Sequence, residues 1–413
     1  MENRREFLKT LAMAAVVSGR TAPLGANDRV RVAVIGTGSR GRILTRYFFA
    51  QPDCALVAAC DVRRSRLDET LADLGGAKVD AVGDYRRVLD RKDVDAVVVA
   101  TPDHWHAPLI VAACAAGKDV YVEKPLTHTV EDAVKAVEAA KAHGRIVQLG
   151  VQQRSGAHYQ EAVALVREGL LGKVTHAVLI QPGGYAQRVA PTEAPPADLD
   201  WEMFQGPAPR HPFTPSRLRW RGFYDYGGGL ITDWGVHLVE TALWALGADA
   251  TTPLQTAASA QYVEFPKDPE QLPDAFSCSW QYDDFVMSFT NAVPPGPDFG
   301  QQGTYLYGAK GVLHTNRSGY RVLPYPARKD RDGKVIEPAI DGRTVTHREE
   351  YDRNDVYTIA HARNFLECVR SRKPPVADIT TVGFHVTLPC LLARQAVKEG
   401  KALAWDGKRG VPL

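Results

Sequence analysis

The chain lacks the features that mark metal-binding, nucleic-acid-binding and membrane-spanning proteins. Its six cysteines are scattered along 413 residues and form no Cys-x-x-Cys pair, which argues against a zinc site and against a disulfide framework. Fifty Lys and Arg residues stand against 48 Asp and Glu, a net charge of +2, so there is no strongly basic field for nucleic acid. No mature segment is apolar enough to span a bilayer. We predict buried cysteines, no metal site and no nucleic-acid partner.

What remains is ordinary globular composition, 45% hydrophobic and 24% charged, in a chain long enough for two domains. The N-terminus differs from the rest. The segment "NRREFLKTLAMAAVVSG" places paired arginines before Phe-Leu-Lys and a short apolar run. It resembles a twin-arginine export signal more than a ragged amphipathic N-terminus, which implies a periplasmic protein with a leader at residues 1–28. Cleavage of the leader is left open, because the large Leu24 stands at the −3 position of the best site, Ala26.

Strands and helices alternate from Val30 to about Val151. The segments "VRVAVIG", "ALVAACD", "DAVVVATP", "DVYVEKP" and "RIVQLGV" are apolar and rich in β-branched residues, as in strands buried on both faces. Helical patterns separate them, the longest from Val130 to His143. This alternation predicts an α/β fold with a doubly wound parallel sheet, which we assign to a domain at residues 29–151.

The pattern changes in the remainder, residues 152–413. A Pro-rich stretch from Ala190 to Pro215 is too broken for regular structure. Segments such as "FSCSWQYDDFVMSF" and "GTYLYGAKGVLHT" alternate in polarity, which indicates an antiparallel sheet with one open face. Helical patterns begin near Asp355 and run from Thr381 to Glu399. We predict an α+β domain whose large open sheet is predominantly antiparallel and whose C-terminal helices can pack back on the first domain.

A glycine-rich motif, "VIGTGSRG", lies directly between a predicted strand and a predicted helix. Its glycines let the backbone turn tightly and approach a pyrophosphate, and the helix N-terminus supplies free N–H groups. Asp61 ends the next strand, where an acid would bind the ribose 2′-hydroxyl and repel a 2′-phosphate. That favours NAD over NADP, although Arg63 and Arg64 could soften the preference; the alternative is a glycine turn with a surface Asp. The predicted cofactor contacts here are Gly36, Thr37, Gly38, Ser39, Arg40, Gly41, Asp61 and Arg63.

Two further segments carry candidate chemistry. "VYVEKP" ends a predicted parallel strand, and ligands bind beyond the carboxyl ends of such strands. Lys124 is therefore well placed to enter a site, although a solvated strand-end lysine is the alternative. In "GGGLITDWGVH", Asp233 and His237 are four residues apart, on one face of a helix. Taken alone, that pair favours an N-capping Asp followed by an ordinary helical His, and it is the presence of "EKP" that favours catalysis.

The ordered set of "ATPDHWHA", "EKP" and "GGGLITDWGVH" behind a glycine motif resembles the Gfo/Idh/MocA oxidoreductases, from about Val30 to the C-terminus. The resemblance implies a Rossmann domain followed by an open-sheet domain, and NAD(P)-dependent chemistry on sugars, polyols and related compounds. It implies that Lys124 is the catalytic lysine and that Asp233 and His237 are the acid and histidine of the second motif. It also places further residues along the cofactor, namely Thr101, Pro102, Trp105, Glu123, Lys124 and Pro125.

The physical interpretation of these residues agrees. Oxidising a carbinol requires a base for the hydroxyl proton, and His237 titrates near neutrality. Lys124, if charged, can hold the hydroxyl oxygen and stabilise a developing alkoxide. Asp233 can orient the imidazole or bind a neighbouring sugar hydroxyl, and the three glycines let this segment pass close to the nicotinamide. The sequence leaves open whether His237 or Lys124 is the base.

Other residues are candidates for the substrate side. Gln152 and Arg154 end another parallel strand and could reach substrate hydroxyls. "RWRGFYDYGGG" has a composition suited to stacking on a sugar, or equally to a packed loop. The predicted substrate contacts are Gln152, Arg154, Trp220, Tyr224, Asp233 and His237.

These observations predict an oxidoreductase that acts on a sugar or glycoside hydroxyl or ketone. Because the twin-arginine pathway moves folded proteins and free NAD is scarce outside the cytoplasm, we expect the cofactor to stay bound and to be recycled in place. A glycosidase that uses bound NAD⁺ in a transient redox cycle is one alternative, and a non-catalytic sugar- or nucleotide-binding regulator is another. The resemblance further implies a homo-oligomer, a dimer or tetramer.

Overall fold

The structure is a computed structural model that describes residues 29–292, 302–346 and 355–413. The predicted leader at residues 1–28 lies outside the described residues. No helix in the described ranges is long and apolar enough to cross a membrane. All six cysteines are buried and free, as predicted.

The first domain is built on six parallel strands. Valines and alanines fill these strands, and those of β4 are fully buried because helices cover both faces of the sheet. The order β3-β2-β1-β4-β5-β6 is that of a doubly wound dinucleotide-binding sheet. The three-residue β3, which has two exposed residues, was not predicted. The strands are β1 (Val30–Ile35), β2 (Cys54–Cys60), β3 (Asp80–Val82), β4 (Ala96–Val99), β5 (Asp119–Glu123) and β6 (Val147–Gly150).

Helices connect these strands. The longest has the predicted bounds: the Thr129 side chain caps its start by accepting from the Asp132 N–H at 3.2 Å, and Gly144 closes it in a left-handed conformation. The helices of this domain are α1 (Ser39–Phe49), α2 (Arg64–Ala72), α3 (Tyr85–Leu89), α4 (His106–Ala115) and α5 (Val130–His143).

The second domain is built on a ten-stranded sheet of order β16-β13-β12-β11-β7-β10-β9-β8-β17-β18. Apart from the parallel pair β7–β10, its neighbours in the described chain are antiparallel. The predicted fold class is confirmed. The strands are β7 (Val174–Ile180), β8 (Gln255–Gln261), β9 (Ala275–Gln281), β10 (Val286–Thr290), β11 (Gly303–Gly308), β12 (Gly311–Asn316), β13 (Gly319–Pro324), β16 (Arg343–Thr346), β17 (Leu403–Trp405) and β18 (Gly410–Pro412), beside a separate ribbon of β14 (Arg328–Lys329) and β15 (Val335–Glu337).

Helices cover one face of this sheet. Met287 and Phe289 point inward and are fully buried, whereas the intervening outward position is occupied by Ser288. The predicted loop from Ala190 to Pro215 contains one short helix, and a π-helical turn at Ile379–Gly383 precedes the last helix. The helices are α6 (Ala157–Arg167), α7 (Trp201–Gln205), α8 (Gly229–Asp233), α9 (Gly235–Leu246), α10 (Asp355–Ser371) and α11 (Phe384–Glu399).

The helix α10 crosses back to the first domain. Its Phe365 packs edge-on against Phe48 and Tyr121, with ring centroids 6.1 and 5.9 Å apart. Its Arg363 and Arg370 both donate to the fully buried carboxylate of Asp53. These contacts attach α10, which follows the large sheet in the chain, to the first domain.

Candidate active site

A cleft of about 720 Å³ opens where the carboxyl ends of β1, β2, β4 and β5 face the second domain. In a doubly wound sheet this edge is where ligands bind. Most of the residues predicted from the sequence line it: Gly36, Thr37, Gly38, Ser39, Arg40, Asp61, Arg63, Thr101, Pro102, Trp105, Glu123, Lys124, Gln152, Trp220, Asp233 and His237. Four predicted residues do not: Gly41, Pro125, Arg154 and Tyr224.

The three glycines of the first motif have different structural roles. Gly36 has φ +89°, and a Cβ there would lie 2.7 Å from the Ala100 carbonyl oxygen. A Cβ on Gly41 would lie 1.8 Å from the Gly36 carbonyl oxygen, so Gly41 permits the close packing of helix and strand without lining the cleft. A Cβ on Gly38 would meet only Arg66, at 3.5 Å from Nη1. Gly38 therefore leaves open the space through which a phosphate can approach the backbone.

The acid at the end of β2 lies over this loop. The Asp61 carboxylate accepts from the Thr37 N–H at 2.7 Å and from the Thr37 hydroxyl at 3.1 Å. Arg63, whose guanidinium lies 3.4 Å from Asp198, and Arg64, which binds Asp68 at 2.8 Å, are both paired with carboxylates. Neither is thus a free counter-charge for a 2′-phosphate. Arg66, which the sequence reasoning did not single out, lines the cleft beside Gly38.

Several polar atoms along the cleft have no protein partner. Within the described ranges, Arg40 Nη2, Thr101 Oγ1 and Gln152 Oε1 are buried and make no hydrogen bond. Buried polar groups in folded proteins are nearly always paired. A polar ligand lying along the cleft would satisfy such groups, and the open glycine loop, the acid above it and these donors and acceptors fit NAD.

Side chains after β4 form one wall of the cleft. The Trp105 indole donates to the Phe204 carbonyl oxygen at 3.0 Å, which fixes the ring. The buried His106 ring contacts the carbonyl oxygens of Pro125 at 2.7 Å and Thr101 at 3.1 Å. His106 thereby connects the segment after β4 with the segment after β5, which is a structural position.

The "EKP" segment enters the cleft from β5. Glu123 accepts from the Arg40 guanidinium at 2.8 Å, and the Lys124–Pro125 bond is cis. The Lys124 ammonium donates to the Asp233 backbone oxygen at 2.8 Å and to the Asp233 carboxylate. The two candidate motifs, distant in sequence, are thus joined by an ion pair.

Asp233 has two further partners. Its carboxylate accepts from the Tyr185 hydroxyl and from the Arg221 guanidinium at 3.0 Å. Burial disfavours its charge, but the positive charges of Lys124 and Arg221 outweigh that effect and hold the pKa of Asp233 well below its usual range. The prediction that Asp233 orients the imidazole is corrected: helix α8 ends at Asp233 and α9 begins at Gly235, so Asp233 faces Lys124, and no hydrogen bond joins it to His237 in the described structure.

His237 is buried and neutral. Burial and the charges of Lys124 and Arg317 lower the pKa of His237 well below its ordinary value. Neither ring nitrogen has a hydrogen-bond partner among the described residues, and Nδ1 is fully buried. Nε2 is consequently the ring atom that can meet a substrate, and the neutral imidazole can accept a proton there.

The glycine triplet was predicted to make room beside the nicotinamide, and the structure corrects this. None of the three glycines lines the cleft. A Cβ on Gly227 would lie 3.1 Å from the Trp220 ring, and one on Gly228 would lie 2.4 Å from the Thr232 side chain. Gly229 has φ +60°, the left-handed region that starts α8. The triplet lets the loop that carries Trp220 and Arg221 pack tightly against α8.

Two predicted substrate contacts are also corrected. Arg154 is bound by Glu240 and Asp249, each at 2.7 Å, and lies outside the cleft. The Tyr224 ring packs against Arg394, whose guanidinium lies 5.7 Å from the ring centroid, and it too lies outside the cleft. Arg154 follows a parallel strand and Tyr224 lies in the aromatic-basic segment, as the sequence indicated. Their side chains nevertheless contact other residues of the protein and do not enter the cleft.

The residues that line the cleft but were not predicted from the sequence include Tyr185, Trp234 and Arg317. Tyr185 follows β7 after two glycines, a signal that could have been used. Arg317 lies in the turn between β12 and β13, and its guanidinium stacks 4.4 Å from the Trp234 ring centroid. Nothing in the local sequence marks that turn as reaching the cleft.

Comparisons with known proteins agree with this geometry. Residues 30–151 match the model of an oxidoreductase family with an NAD-binding Rossmann fold, and residues 159–320 match the model of the C-terminal alpha/beta domain of the same oxidoreductase family. The prediction that NAD is the cofactor is thereby confirmed. A scyllo-inositol 2-dehydrogenase (NAD(+)) of Bacillus subtilis is 28% identical over 92% of this chain and 98% of its own length. A glycosyl hydrolase family 109 protein of Solibacter usitatus is 31% identical over 42% of this chain and 44% of its own.

Solved structures share the fold at low identity. A levoglucosan dehydrogenase in complex with NADH and levoglucosan superimposes with a TM-score of 0.67 at 18% identity, over 91% of this chain and 99% of that one. GenD2 from gentamicin A biosynthesis, in complex with NAD, gives a TM-score of 0.66 at 20% identity, over 94% of this chain and 100% of that one.

Proposed function

The chain belongs to the Gfo/Idh/MocA oxidoreductase family, and from that premise we propose that it transfers a hydride between NAD and a ring hydroxyl or ketone of a sugar or glycoside. The observation that carries the proposal is the ion pair between Lys124 and Asp233 beside the neutral His237, at the end of a nucleotide cleft. The names of the relatives, an inositol dehydrogenase and a levoglucosan dehydrogenase, support cyclic polyols and sugars as the substrate class.

The residues divide the chemistry between them. NAD, held along the glycine loop and Asp61, supplies the hydride acceptor when it is bound. Lys124 is held by Asp233 as a hydrogen-bond donor, so it would bind the substrate hydroxyl oxygen and stabilise negative charge that develops there. His237 would take the hydroxyl proton at Nε2, because its pKa keeps the ring unprotonated at neutral pH. We therefore assign the base to His237 and the electrostatic role to Lys124.

Product analysis tests this function. Purified protein is incubated with a panel of sugars and cyclitols while NADH absorbance is followed, and the products are examined for a ketosugar. We expect Lys124→Ala to lower kcat by at least about 100-fold with bound NAD retained. Lys135→Ala, on the exposed face of α5, is the matched control. Binding of sugar and NAD with no turnover in the unaltered protein would contradict the proposal and indicate a regulator.

The glycosyl hydrolase family 109 relatives favour a second candidate, a glycosidase that oxidises its substrate transiently and releases a hydrolysed sugar. Their matched segments cover less than half of this chain, which makes this the weaker reading of the likeness. The two functions differ in product: hydrolysis at constant NAD⁺ supports the glycosidase, and a ketosugar supports the dehydrogenase.

We also propose that the enzyme is exported and keeps its NAD bound, because a twin-arginine-like segment precedes a nucleotide-binding fold. A hydride taken from one sugar is then returned to another carbonyl at the same site. Extensively dialysed protein should carry nucleotide and exchange hydride between two sugars without added NAD. Dialysed protein that is empty and needs millimolar NAD would contradict recycling, and cell fractionation tests export.

The open sheet face supports a homo-oligomer. Register places Val286, His176, Tyr307, Val312 and Leu323 in one row across five neighbouring strands. Val286, Tyr307 and Leu323 are exposed in this row, an apolar surface typical of an interface. Light scattering should report a dimer or tetramer, and Tyr307→Lys should shift it towards the monomer; a monomeric unaltered protein would contradict the proposal.

A further inference from the structure

The substrate end of the cleft contains more cations than anions. Lys124 and Arg221 share the single carboxylate of Asp233, and Arg317 lies on the same side of the cleft. The charges of Lys124 and Arg221 lower the pKa of Asp103, but burial outweighs them and raises it to about 7, so this carboxyl is about half ionised at pH 7 and offsets only part of the positive charge. Arg40, towards the cofactor, is already balanced by Glu123.

Arg317 is the cation without a counter-charge. No ion pair or hydrogen bond joins it to another residue in the described ranges, and its Nε is buried and unpartnered. Its guanidinium stacks 4.4 Å from the Trp234 ring centroid, and the Trp234 ring lies 6.0 Å from that of His237. Its charge also contributes to the lowered pKa of His237. Arg317 therefore stands beside the proposed base, held on an indole face.

Arg317 offers an uncompensated charge to the cleft. Its side chain is half-buried, and the stacked guanidinium keeps its donors in a fixed plane that matches a carboxylate or phosphate. The pyrophosphate of the cofactor is an unsuitable partner. Its expected position is at Gly38, which lies in the first domain and has Arg66 beside it, whereas Arg317 belongs to the second domain. The remaining partner is the substrate.

We propose that the substrate is an anionic sugar, one that bears a carboxylate or a phosphate, and that Arg317 binds this group while Lys124 and His237 receive the reacting hydroxyl. The proposal rests on the sugar oxidation proposed above and deepens it. Arg317 is then a specificity-determining residue, supplied by the turn between β12 and β13, and a neutral sugar would leave its guanidinium without a counter-charge in the cleft.

Matched sugar sets test the proposal on the NAD-loaded, full-length protein. Each set holds a neutral hexose, its uronic acid and its 6-phosphate, in the gluco, galacto and manno configurations, and binding is measured by calorimetry beside NADH formation. The variants are Arg317→Gln and Arg317→Lys. Arg321→Gln, an exposed arginine on β13 outside the cleft, is the matched control.

We expect the acid or the phosphate of at least one set to bind more tightly than the neutral sugar. Arg317→Gln should lower the affinity for that anion by about 30-fold and change the affinity for the neutral sugar by no more than about threefold. Its NAD content should be unchanged. The anion affinity of Arg317→Lys should lie between that of the unaltered protein and that of Arg317→Gln. The control Arg321→Gln should match the unaltered protein. The uronic acid and phosphate arms distinguish the two anions.

Three results would overturn the proposal: tighter binding of the neutral sugar in every set, an equal loss for neutral and anionic sugars in Arg317→Gln, or a loss of NAD in that variant. Anion binding that depends on Arg317 without any oxidation would support the anionic ligand and contradict the proposed oxidation. Oxidation of neutral sugars alone would support the proposed oxidation and contradict the anionic substrate.

Discussion

Lys124 and Asp233 form an ion pair across the cleft, although 109 residues separate them in the chain. The pair joins the end of β5 to the end of α8, so it holds the segment after the parallel sheet against the second domain. Both side chains are nearly buried, and Tyr185 and Arg221 complete the surroundings of the carboxylate. This relationship makes Asp233 a residue that positions Lys124.

Asp233→Asn should be destabilising in a pH-dependent way. The substitution keeps the shape but leaves Lys124 and Arg221 without a carboxylate, at a cost of about 3 kcal/mol in the free energy of unfolding at pH 7. Because the pKa of Asp233 is depressed in the folded protein, its contribution is complete above the unfolded value of about 4 and is lost as the pH falls below it. Urea unfolding should show a constant difference from pH 7 to 5 that shrinks by about 1 kcal/mol at pH 3.

The exposed Asp284 supplies the control for that measurement, and Asp284→Asn should change stability little at any pH. A difference for Asp233→Asn that stayed constant down to pH 3 would mean that the carboxylate is not held ionised in the folded protein.

The pH profile of kcat/KM reports on His237. Only the neutral imidazole accepts a proton, and its pKa is well below the ordinary value, so activity should be the same at pH 6 as at pH 7 and decline only at lower pH. His237→Gln should lower kcat by about 100-fold or more. His143→Gln, on the exposed end of α5, should have no effect. An acidic midpoint at or above about 6.5 would exclude His237, in this environment, as the base.

Two glycines of the first motif should respond differently to alanine. Gly41→Ala places a Cβ 1.8 Å from the Gly36 carbonyl oxygen, so the protein should lose stability whether or not NAD is present. Gly38→Ala has room for its Cβ but narrows the approach of the cofactor, so the Tm of the NAD-free protein should be unchanged while NAD affinity falls about tenfold. Thermal denaturation and fluorescence titration separate the effects, and equal losses of Tm in the two variants would contradict this assignment.

Arg154 should prove structural. Arg154→Ala leaves Glu240 and Asp249 without their partner in a buried position and should cost about 3 to 5 kcal/mol of unfolding free energy, with KM for the sugar within about twofold. Arg154→Lys should recover part of the stability. A stable Arg154→Ala protein with a strongly raised KM would contradict a structural role and indicate that Arg154 binds the substrate.

Much of the first domain followed from the sequence, because its strands other than β3 are buried on both faces and carry a continuous apolar run between turns. The glycine motif, the acid after β2 and the lysine after β5 lie at strand ends, and strand ends of a parallel sheet meet at one edge. Locating them along the chain was therefore enough to place them in one cleft. The short β3 and the strands β17 and β18 were missed, since three residues carry too little periodicity.

The second domain was predicted only in class. Alternation identified an antiparallel sheet, but it carries no information on which turn returns to the cleft, and Arg317 was missed for that reason. The spacing of Asp233 and His237 suggested one helical face; the helix instead divides at Trp234, and the two side chains have different neighbours.

By itself, then, the sequence determined the residues whose role depends on local backbone and burial: the parallel strands, the glycine turn and the positions of Lys124, Asp233 and His237 in the chain. Only the tertiary structure decided which side chains meet. Asp233 pairs with Lys124, Arg154 is enclosed by Glu240 and Asp249, and Arg317 stands near His237 without an ion pair among the residues that the structure describes. The physical reason is that sequence periodicity shows which face of a helix or strand is buried. Charge pairing instead depends on segments that are distant in the chain and meet only when the whole protein folds.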